Sequence, residues 1–368
     1  MAKGKAPEKR GVVSLQQLLK SACADVNKSF KGRQLATIVE DTGLRGNVTS
    51  WISTGSLMLD LAMRGGIPVG RVIELYGYPS SGKSTLTAHV FANCQKMGGV
   101  VALVDSESTW EDARASSLGV DLGNFVRLEA KTVEEGFNAI EDFVVSFRSK
   151  PGADRVPMVV AWDTIAKAKT GTDAAAKSMD DRYSGGMIEK PKLIQQGMRR
   201  FLDMVSDNRI SMIMVNQLIA GPKGNTTPGG NALKFDSSMR INMIRKMAVK
   251  DGEGETGIMT LVKVEKNKVS GAMPKRSEVE IPIMHTTGID DAGSILFYLK
   301  SVGAVKVGGG WYRFTHDGEE HTFRQREFGP WLAENPKRRA AVEAIVRDNF
   351  IRKAGAVGSD VVEDDDGE

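Results

Sequence analysis

The sequence predicts an α/β fold in which a mostly parallel, twisted sheet is flanked by helices on both sides. Two observations lead to this prediction. Short apolar runs typical of buried strands alternate with segments of helical periodicity over residues 71–215. A glycine-rich turn also joins the first apolar run directly to a helical segment. Because apolar parallel strands need cover on both faces, the intervening helices must lie on the two sides of the sheet.

The separate elements follow from the same patterns. The predicted strands are 71–76, 100–104, 124–128, 157–162 and 210–215, and the predicted helices are 84–97, 110–118, 132–148 and 189–206. Thr132 and Glu135 form a capping box at the start of one helix. Beyond residue 230, alternating residues predict antiparallel strands at the far edge of the same sheet, around 239–243, 260–264 and 278–284.

Further segments flank this core. An apolar face at helical spacing predicts a helix from Ser14 to Phe30, which must pack on the main body or on a neighbouring subunit. After Gly288, a small α+β module has helices at 294–301 and 336–352 and a glycine turn at 308–310. The predicted segments are a basic N-terminal segment with its helix (1–45), the core (46–287), the C-terminal module (288–353) and a disordered acidic tail (354–368).

Composition excludes several classes of protein. The chain has 368 residues, of which 41% are hydrophobic and 26% charged, as in soluble globular proteins. It contains no apolar run long enough to span a bilayer and no secretory signal after Met1. Cys23 and Cys94 are isolated from each other and from the histidines, which excludes a disulfide framework or a zinc cluster. We therefore predict a protein of the reducing cytoplasm.

Charge is distributed unevenly along the chain. The formal net charge is +4, yet six of the last nine residues are acidic, so the rest of the chain is more basic than the total indicates. A basic body with an acidic tail favours a polyanionic partner for which the tail competes. The alternative is a solubilising tail on a mildly basic protein.

Residues 77–85 fit the G-x-x-x-x-G-K-[ST] pattern of a phosphate-binding loop, between a predicted strand and a predicted helix. Glycines permit the tight turn, and the N–H groups at a helix N-terminus attract phosphates. A lysine adds positive charge and a hydroxyl is placed to ligate Mg²⁺. The predicted nucleotide-binding residues of the loop are Gly77, Ser80, Ser81, Gly82, Lys83, Ser84 and Thr85. The alternative is an ordinary glycine turn.

Carboxylates end two other predicted strands. Ligands bind beyond the carboxyl ends of the strands in an open parallel sheet. Asp163 is therefore predicted to bind nucleotide and, with Ser84, to hold Mg²⁺. Glu107 is predicted to be the general base that activates the attacking water, and Asp105 lies two residues before it. The alternative is that Asp105 or Glu107 caps the following helix.

Two loops at this end of the sheet, 169–188 and 221–231, are rich in glycine and bear lysines. Such loops suit contact with a nucleic-acid backbone, and the alternative is that both are merely solvated. Asn216 and Gln217 come directly before the second loop, where a side-chain amide can sense the γ-phosphate of a nucleotide.

These residues resemble the RecA family of DNA strand-exchange recombinases, and the resemblance runs from about residue 14 to the acidic tail. Residues 52–56 and 80–83 match the family around the phosphate loop. Two matches are more specific: Asn216-Gln217 followed by residues 229–235, and the lysines of residues 266–268. Many unrelated enzymes share the phosphate loop, whereas these two motifs are typical of the family.

The resemblance implies a RecA-like P-loop NTPase core, with ATP bound between adjacent subunits of a helical filament. It implies that Lys266 and Lys268 reach a neighbour's phosphates and that Gln217 couples the γ-phosphate to the second DNA loop. The implied DNA-binding residues are Met187, Arg199, Gly229, Gly230 and Asn231. The implied subunit-interface residues are Leu15, Leu19, Phe30 and Phe235. The C-terminal module resembles one that receives duplex DNA, a step that acidic tails in the family restrain.

The sequence departs from the family pattern in three places. Arg114 occupies the position of a tyrosine that stacks on adenine; a guanidinium also stacks on a base, so Arg114 is counted as a nucleotide-binding residue. The second DNA loop is shorter, which leaves residues 218–224 unassigned. The helix of the first loop contains Pro191. These differences indicate a divergent member of the family.

The sequence thus predicts an ATP- and Mg²⁺-dependent homologous recombinase that forms a helical filament on single-stranded DNA and exchanges strands with homologous double-stranded DNA. The predicted catalytic residues are Lys83, Glu107, Gln217, Lys266 and Lys268. One alternative is a DNA helicase or motor on the same core, and another is an ATP-gated protein that only coats single-stranded DNA.

Overall fold

A computed structural model describes residues 14–29, 35–36, 48–175, 186–219, 225–251, 254–269, 277–316 and 318–356. The predicted interface residue Phe30 and nearly all of the acidic tail lie outside these ranges. The chain divides into one unit over residues 1–47 and a second over residues 48–368. The four segment boundaries expected from the sequence stay predictions.

The helices of the described residues are α1 (Leu15–Ser29), α2 (Leu57–Met63), α3 (Lys83–Lys96), α4 (Asp112–Ser117), α5 (Val133–Arg148), α6 (Gly171–Ala175), α7 (Gly186–Asp207), α8 (Ala232–Asp236), α9 (Asp291–Ser301), α10 (Phe328–Ala333) and α11 (Pro336–Ala356). The strands are β1 (Trp51–Ile52), β2 (Ile67–Pro68), β3 (Arg71–Gly77), β4 (Val100–Asp105), β5 (Phe125–Leu128), β6 (Met158–Asp163), β7 (Ile210–Gln217), β8 (Met239–Asp251), β9 (Gly254–Asn267), β10 (Ser277–Met284), β11 (Gly288–Ile289), β12 (Lys306–Gly308), β13 (Trp311–His316) and β14 (Glu319–Phe323).

A nine-stranded mixed sheet forms the core, in the order β11-β10-β9-β8-β3-β7-β6-β4-β5. The predicted α/β class is confirmed, and the six strands from β8 to β5 are parallel. The expectation that all three late strands run antiparallel is wrong for β8, which pairs parallel with β3. The chain reaches β8 through the long segment after β7, and only then does it reverse into β9 and β10.

The two faces of the sheet follow from the strict alternation of side chains along each strand. Ile73 and Leu75 of β3 face the core that contains α2, α3 and α9, whereas Val72 faces the core that contains α5 and α7. Both faces are therefore covered, as continuous apolar strands require. At the start of α5, the capping box of Thr132 and Glu135 is formed as predicted.

The helix predicted near the N-terminus is present as α1. Its apolar face is exposed, since Leu15 and Leu19 keep 72% and 46% of their surface accessible. A stripe of exposed leucines on a helix is typical of a surface that a partner covers.

The C-terminal module consists of the antiparallel sheet β12-β13-β14 packed with α9, α10 and α11. Its core includes Phe314, Phe323 and Phe328, with Trp331 stacked against the last two at centroid distances of 5.4 and 5.7 Å. Asp291 at the start of α9 accepts hydrogen bonds from the N–H of Leu57 and from Arg339 of α11. That carboxylate thereby ties the module to α2 on the nine-stranded sheet.

His89 predicts how the stability of this fold depends on pH. The imidazole Nε2 accepts a hydrogen bond from the N–H of Ile289 at 2.9 Å. Burial, together with the positive charges of Lys96 and Arg114, lowers the pKa of His89 to about 4. Protonation is thus more costly in the folded chain than in the unfolded one, where the pKa is about 6.5. We expect up to about 3 kcal/mol of stability, present above pH 6.5, to be lost as the pH falls towards 4.

Chemical denaturation of the wild type and of His89→Gln between pH 7.5 and 4.5 measures this contribution. The glutamine oxygen can still accept from Ile289 but does not titrate, so the variant should show a smaller decrease in the free energy of unfolding over this range. The matched control is His285→Gln, since His285 lies at the surface. Equal pH slopes in wild type and His89→Gln would contradict the assignment.

Candidate active site and nucleic-acid interface

The predicted site residues meet at the carboxyl edge of the parallel strands because of the strand register. Gly77 at the end of β3 lies opposite Gln217 at the end of β7. Asp105 of β4 lies opposite Asp163 of β6. Since β3, β7, β6 and β4 are consecutive in the sheet, one edge presents the phosphate loop, two carboxylates and an amide side by side.

The phosphate loop follows β3 and ends at the N-terminus of α3. Gly82 precedes α3 in the left-handed region (φ 95°), and a Cβ at this position would collide with the side chain of Ile283. A Cβ at Gly77 would collide with the main-chain oxygen of Met243. Only glycine fits at both positions, so the sequence motif is required by the local packing as well as by its chemistry. The resulting cradle of N–H groups fits a phosphate chain.

Lys83 is the cation of this cradle and is only 8% exposed. Its Nζ donates to the carbonyls of Gly77 and Tyr78 at 3.2 and 2.8 Å, which holds the ammonium over the loop. Burial lowers the pKa of Lys83, while the nearby carboxylates of Asp163 and Glu107 oppose that shift. The lysine is therefore a desolvated charge next to the loop, where it interacts strongly with anions.

Ser84 and Asp163 provide the oxygen ligands expected of a magnesium site. The Ser84 hydroxyl donates to Asp163 Oδ2 at 2.6 Å. Burial raises the pKa of Asp163, and the hydrogen bond from Ser84 and the charge of Lys83 oppose this rise. One hydroxyl and one carboxylate beside a phosphate cradle fit Mg²⁺, which takes few protein ligands and several from phosphate and water.

The structure assigns different surroundings to Asp105 and Glu107. Asp105 accepts from the N–H groups of Glu107, Thr109 and Trp110, so it organises the turn before α4. The alternative that Asp105 caps this helix is wrong, because the N-cap of α4 is Glu111. Glu107 Oε1 instead accepts from Gln217 Nε2 at 2.6 Å. The predicted base and the predicted γ-phosphate sensor therefore touch, although 110 residues separate them in sequence.

A pocket beside the phosphate loop is lined by Thr85, Trp110 and Arg114. The guanidinium of Arg114 donates to the carbonyls of Thr286 and Met284, which orients its plane. Its assignment to the nucleotide base stays a prediction, with the side chain now placed next to the loop. Trp110, which follows the turn organised by Asp105, was not predicted from the sequence.

Arg199 and Asn231, two of the residues expected to bind DNA, line a groove between α7 and α8. The double glycine Gly229-Gly230 has φ values of 94° and 74°, and Cβ atoms there would press on Ile194 and Pro191 of α7. The end of the second loop is therefore packed on the helix of the first. The groove is lined by Pro191, Lys192, Gln195, Arg199, Asn231, Ala232, Phe235 and Asp236.

Some predicted residues cannot be placed in this groove, and others were missed. The side chain of Met187 and residues 220–224 lie outside the described part of the chain. Lys192, a cation about two helical turns before Arg199 on the same helix, was not predicted to contact DNA. Its helical spacing from Arg199 and its charge could have indicated it.

Lys266 and Lys268 are not brought to the phosphate loop of their own chain. In the strand register, Lys266 of β9 pairs with Arg240 of β8, which pairs in turn with Glu74 of β3. The phosphate loop starts three residues further along β3, at Gly77. The Nζ of Lys266 donates to the carbonyls of Lys234 and Phe235 at 2.7 and 2.8 Å, while Lys268 is exposed. Phe235 itself is 70% exposed.

The fold and this edge of the sheet define a P-loop nucleoside triphosphatase. The phosphate loop connects a central parallel strand to a helix, and carboxylates and an amide from three neighbouring strands face it. This arrangement matches that used for phosphoryl transfer, in which positioning and charge do most of the work.

Comparison with known proteins gives the family. The RecA N-terminal domain family matches residues 17–290. The RecA protein of Synechococcus sp. (strain CC9311) is 38% identical over 305 residues, which cover 80% of this chain and 74% of that protein. The RecA protein of Allochromatium vinosum is 34% identical over 346 residues, covering 92% and 94% of the two chains. The chain therefore belongs to the RecA family of DNA-dependent ATPases and recombinases. Among the described helices, none combines the length and apolarity that a membrane span requires.

Proposed function

We propose that the chain is an ATP-dependent recombinase that assembles as a helical filament on single-stranded DNA and exchanges strands with a homologous duplex. The observation that supports this most directly is the hydrogen bond between Gln217 and Glu107. Gln217 ends β7 and begins the segment whose far end, at Gly229-Gly230, packs on α7. Gln217, which contacts the predicted catalytic base, thus lies four residues before the predicted DNA loop 221–231.

The roles of the site residues follow from their positions. The phosphate loop and Lys83 bind and orient the β- and γ-phosphates, and Ser84 and Asp163 would hold Mg²⁺, which screens the phosphate charge when bound. Glu107 accepts the proton of the attacking water. Gln217 donates to Glu107 and responds to the γ-phosphate, so the second DNA loop is ordered in the ATP state and released after hydrolysis.

The exposed surfaces support assembly into a filament. The leucine face of α1 and the Phe235 side chain are predicted to be covered by neighbouring subunits. Lys266 and Lys268, which lie away from the phosphate loop of their own chain, are predicted to contact the nucleotide of the next subunit. Groove residues Lys192, Arg199 and Asn231 are predicted to contact the DNA backbone.

The test is ATP hydrolysis by the purified protein with and without single-stranded DNA, followed by strand exchange between a single strand and a homologous duplex. We expect turnover to rise at least tenfold with single-stranded DNA and joint molecules to form only with a homologous strand. Turnover that is indifferent to DNA would contradict the proposed coupling. Unwinding of a tailed duplex without any homologous strand would favour the helicase alternative.

Lys266 gives a prediction about the pH dependence of assembly. Burial, then the charges of Lys268 and Arg240, lowers the pKa of Lys266 to about 8. Contact with a neighbour's phosphates would favour the charged form, so assembly above pH 8 requires uptake of a proton. We expect the affinity for ATP-dependent assembly to decrease by up to about tenfold per pH unit above pH 8.

Sedimentation with a non-hydrolysable ATP analogue at pH 7, 8 and 9 measures this effect. Lys266→Arg remains charged throughout and should show a flatter profile. The matched control is Lys263→Arg, since Lys263 lies on the same strand and is paired with Glu278 at 3.2 Å. A wild-type profile that is flat from pH 7 to 9 would argue against a role for Lys266 in assembly.

A further inference from the structure

A buried polar network lies beneath the site and has no part in the functions described so far. Its first member is Glu74, within the apolar run Val72–Tyr76 of strand β3 and three residues before Gly77 of the phosphate loop. The side chains of Glu74 and Asn216 are fully buried, at 0% exposure. A carboxylate and an amide are costly to bury unless every polar atom is paired, so their partners indicate what this network does.

Both oxygens of Glu74 are paired, each with a different strand. Oε1 accepts from Asn216 Nδ2 of β7 at 3.1 Å. Oε2 accepts from Arg240 Nε of β8 at 2.6 Å, and the Arg240 side chain is only 15% exposed. Glu74 therefore links the two strands on either side of the phosphate-loop strand in one fixed geometry.

Asn216 links both ends of the second loop. Its Nδ2 also donates to the carbonyl of Pro228 at 3.0 Å, and its Oδ1 accepts from the N–H of Gln217 at 3.0 Å. A bridge between Ile219 and Thr226 closes the base of the loop one step further out. The side-chain amide of Asn216 thus holds both Gln217, which contacts Glu107, and Pro228, which precedes the double glycine.

Arg240 extends the network towards the edge where Lys266 lies. Its guanidinium lies 4.6 Å from the centre of the Tyr76 ring and 3.9 Å from Glu265. Glu265 also accepts from the Tyr76 hydroxyl and from Asn242. In the strand register, Arg240 is paired directly with Lys266. The network therefore runs from the root of the second loop, under the phosphate loop, to the strand that carries Lys266.

We propose that Asn216, Glu74 and Arg240 are positioning residues that couple the ATP site to the second DNA loop. The proposal rests on the proposed function. It adds the hydrogen-bonded network through which a change at the ATP site would reach the second DNA loop. When the γ-phosphate changes the position of Gln217, the N–H of Gln217 displaces the Asn216 amide that accepts from it, and Glu74, which Arg240 holds, restricts the direction in which that amide can move. The strain is then transmitted to the other partner of that amide, Pro228, and so to the glycines that pack on α7.

The test measures ATP turnover in Asn216→Ala with and without single-stranded DNA. This variant removes the attachment to Pro228 but no group that contacts the nucleotide. We expect the ratio of DNA-stimulated to unstimulated turnover to decrease at least tenfold, with a change of less than threefold in the KM for ATP. The matched control is Ser211→Ala, on the same strand, which loses an equally buried hydrogen bond, to the Pro68 carbonyl at 3.1 Å. Its stimulation ratio should remain within twofold of the wild type.

A second variant keeps the proposal testable if Asn216→Ala does not fold. Glu74→Gln keeps the shape of the side chain but only one acceptor oxygen. With that oxygen towards Asn216, the new NH₂ group faces Arg240 Nε, a donor against a donor, so the bond to Arg240 is lost. We expect a three- to tenfold decrease in the stimulation ratio. The proposal would be overturned if a folded Asn216→Ala kept a stimulation ratio within twofold of the wild type. If Asn216→Ala is unfolded, the same result in Glu74→Gln would overturn it. An equal loss of stimulation in Ser211→Ala would also overturn it. A wild-type protein that DNA does not stimulate would instead overturn the proposed function.

Discussion

Lys83→Ala is expected to lower ATP turnover in the presence of single-stranded DNA by about 10²- to 10³-fold, the cost typical of removing one group that stabilises developing charge. The side chain is the buried cation of the phosphate loop, held over it by the carbonyls of Gly77 and Tyr78. Its loss also leaves Asp163 without its neighbouring positive charge, so nucleotide affinity should fall as well. Steady-state turnover and nucleotide titration measure the two effects separately.

The matched control for this substitution is Lys96→Ala at the other end of α3. Lys96 is exposed and contacts only Asn93 among the hydrogen-bond partners described, at 3.1 Å. The Lys96→Ala variant should retain ATP turnover within twofold of the wild type. A folded Lys83→Ala that hydrolyses ATP at more than a third of the wild-type rate would show that the loop is not the site of hydrolysis.

Glu107→Gln is expected to lower turnover by about 10²- to 10⁴-fold while nucleotide and DNA binding persist, because general-base catalysis contributes a factor of this size. The glutamine keeps an oxygen that can accept from Gln217, so the link observed at 2.6 Å can survive while the base is lost. The variant should therefore remain in the ATP state. Fluorescence anisotropy should show slower dissociation from single-stranded DNA when ATP is present.

Glu129→Gln serves as the control, because Glu129 is exposed and follows β5, the strand next to β4. It should behave as the wild type in both assays. If Glu107→Gln hydrolyses ATP at the wild-type rate, Glu107 is not the base, and the alternative of a protein that only coats DNA gains support.

The strands and helices of the core could be predicted closely because their signals are local. The alternation of apolar runs predicted the ends of β3, β4, β6 and β7 to within one or two residues, and the capping box predicted where α5 begins. The direction of β8 could not be predicted, because it depends on where the chain returns to the sheet after a long segment rather than on any property of residues 239–243.

The site shows the same division between local and long-range information. The phosphate loop and the carboxylates at strand ends are recognisable from short patterns. The pairing of Glu74 with Arg240, which are 166 residues apart, is not, since a single acid in an apolar run does not indicate its partner. Lys192 was also missed, although its spacing from Arg199 places both cations on one face of α7; the groove beside Asn231 that they share forms only in the fold.

The anchoring of Arg114 has a consequence for the evolution of nucleotide choice. Its guanidinium is held by the carbonyls of Met284 and Thr286, about 170 residues further along the chain, where β10 turns towards β11. Main-chain oxygens cannot be altered by point substitution, but a deletion or an insertion in this turn would displace them. From the predicted contact of Arg114 with the nucleotide base, we expect drift in this short hairpin to change which base the pocket accepts without any mutation in the pocket itself. On the same prediction, substitutions that change the length of that turn are expected to alter the nucleotide preference of the pocket.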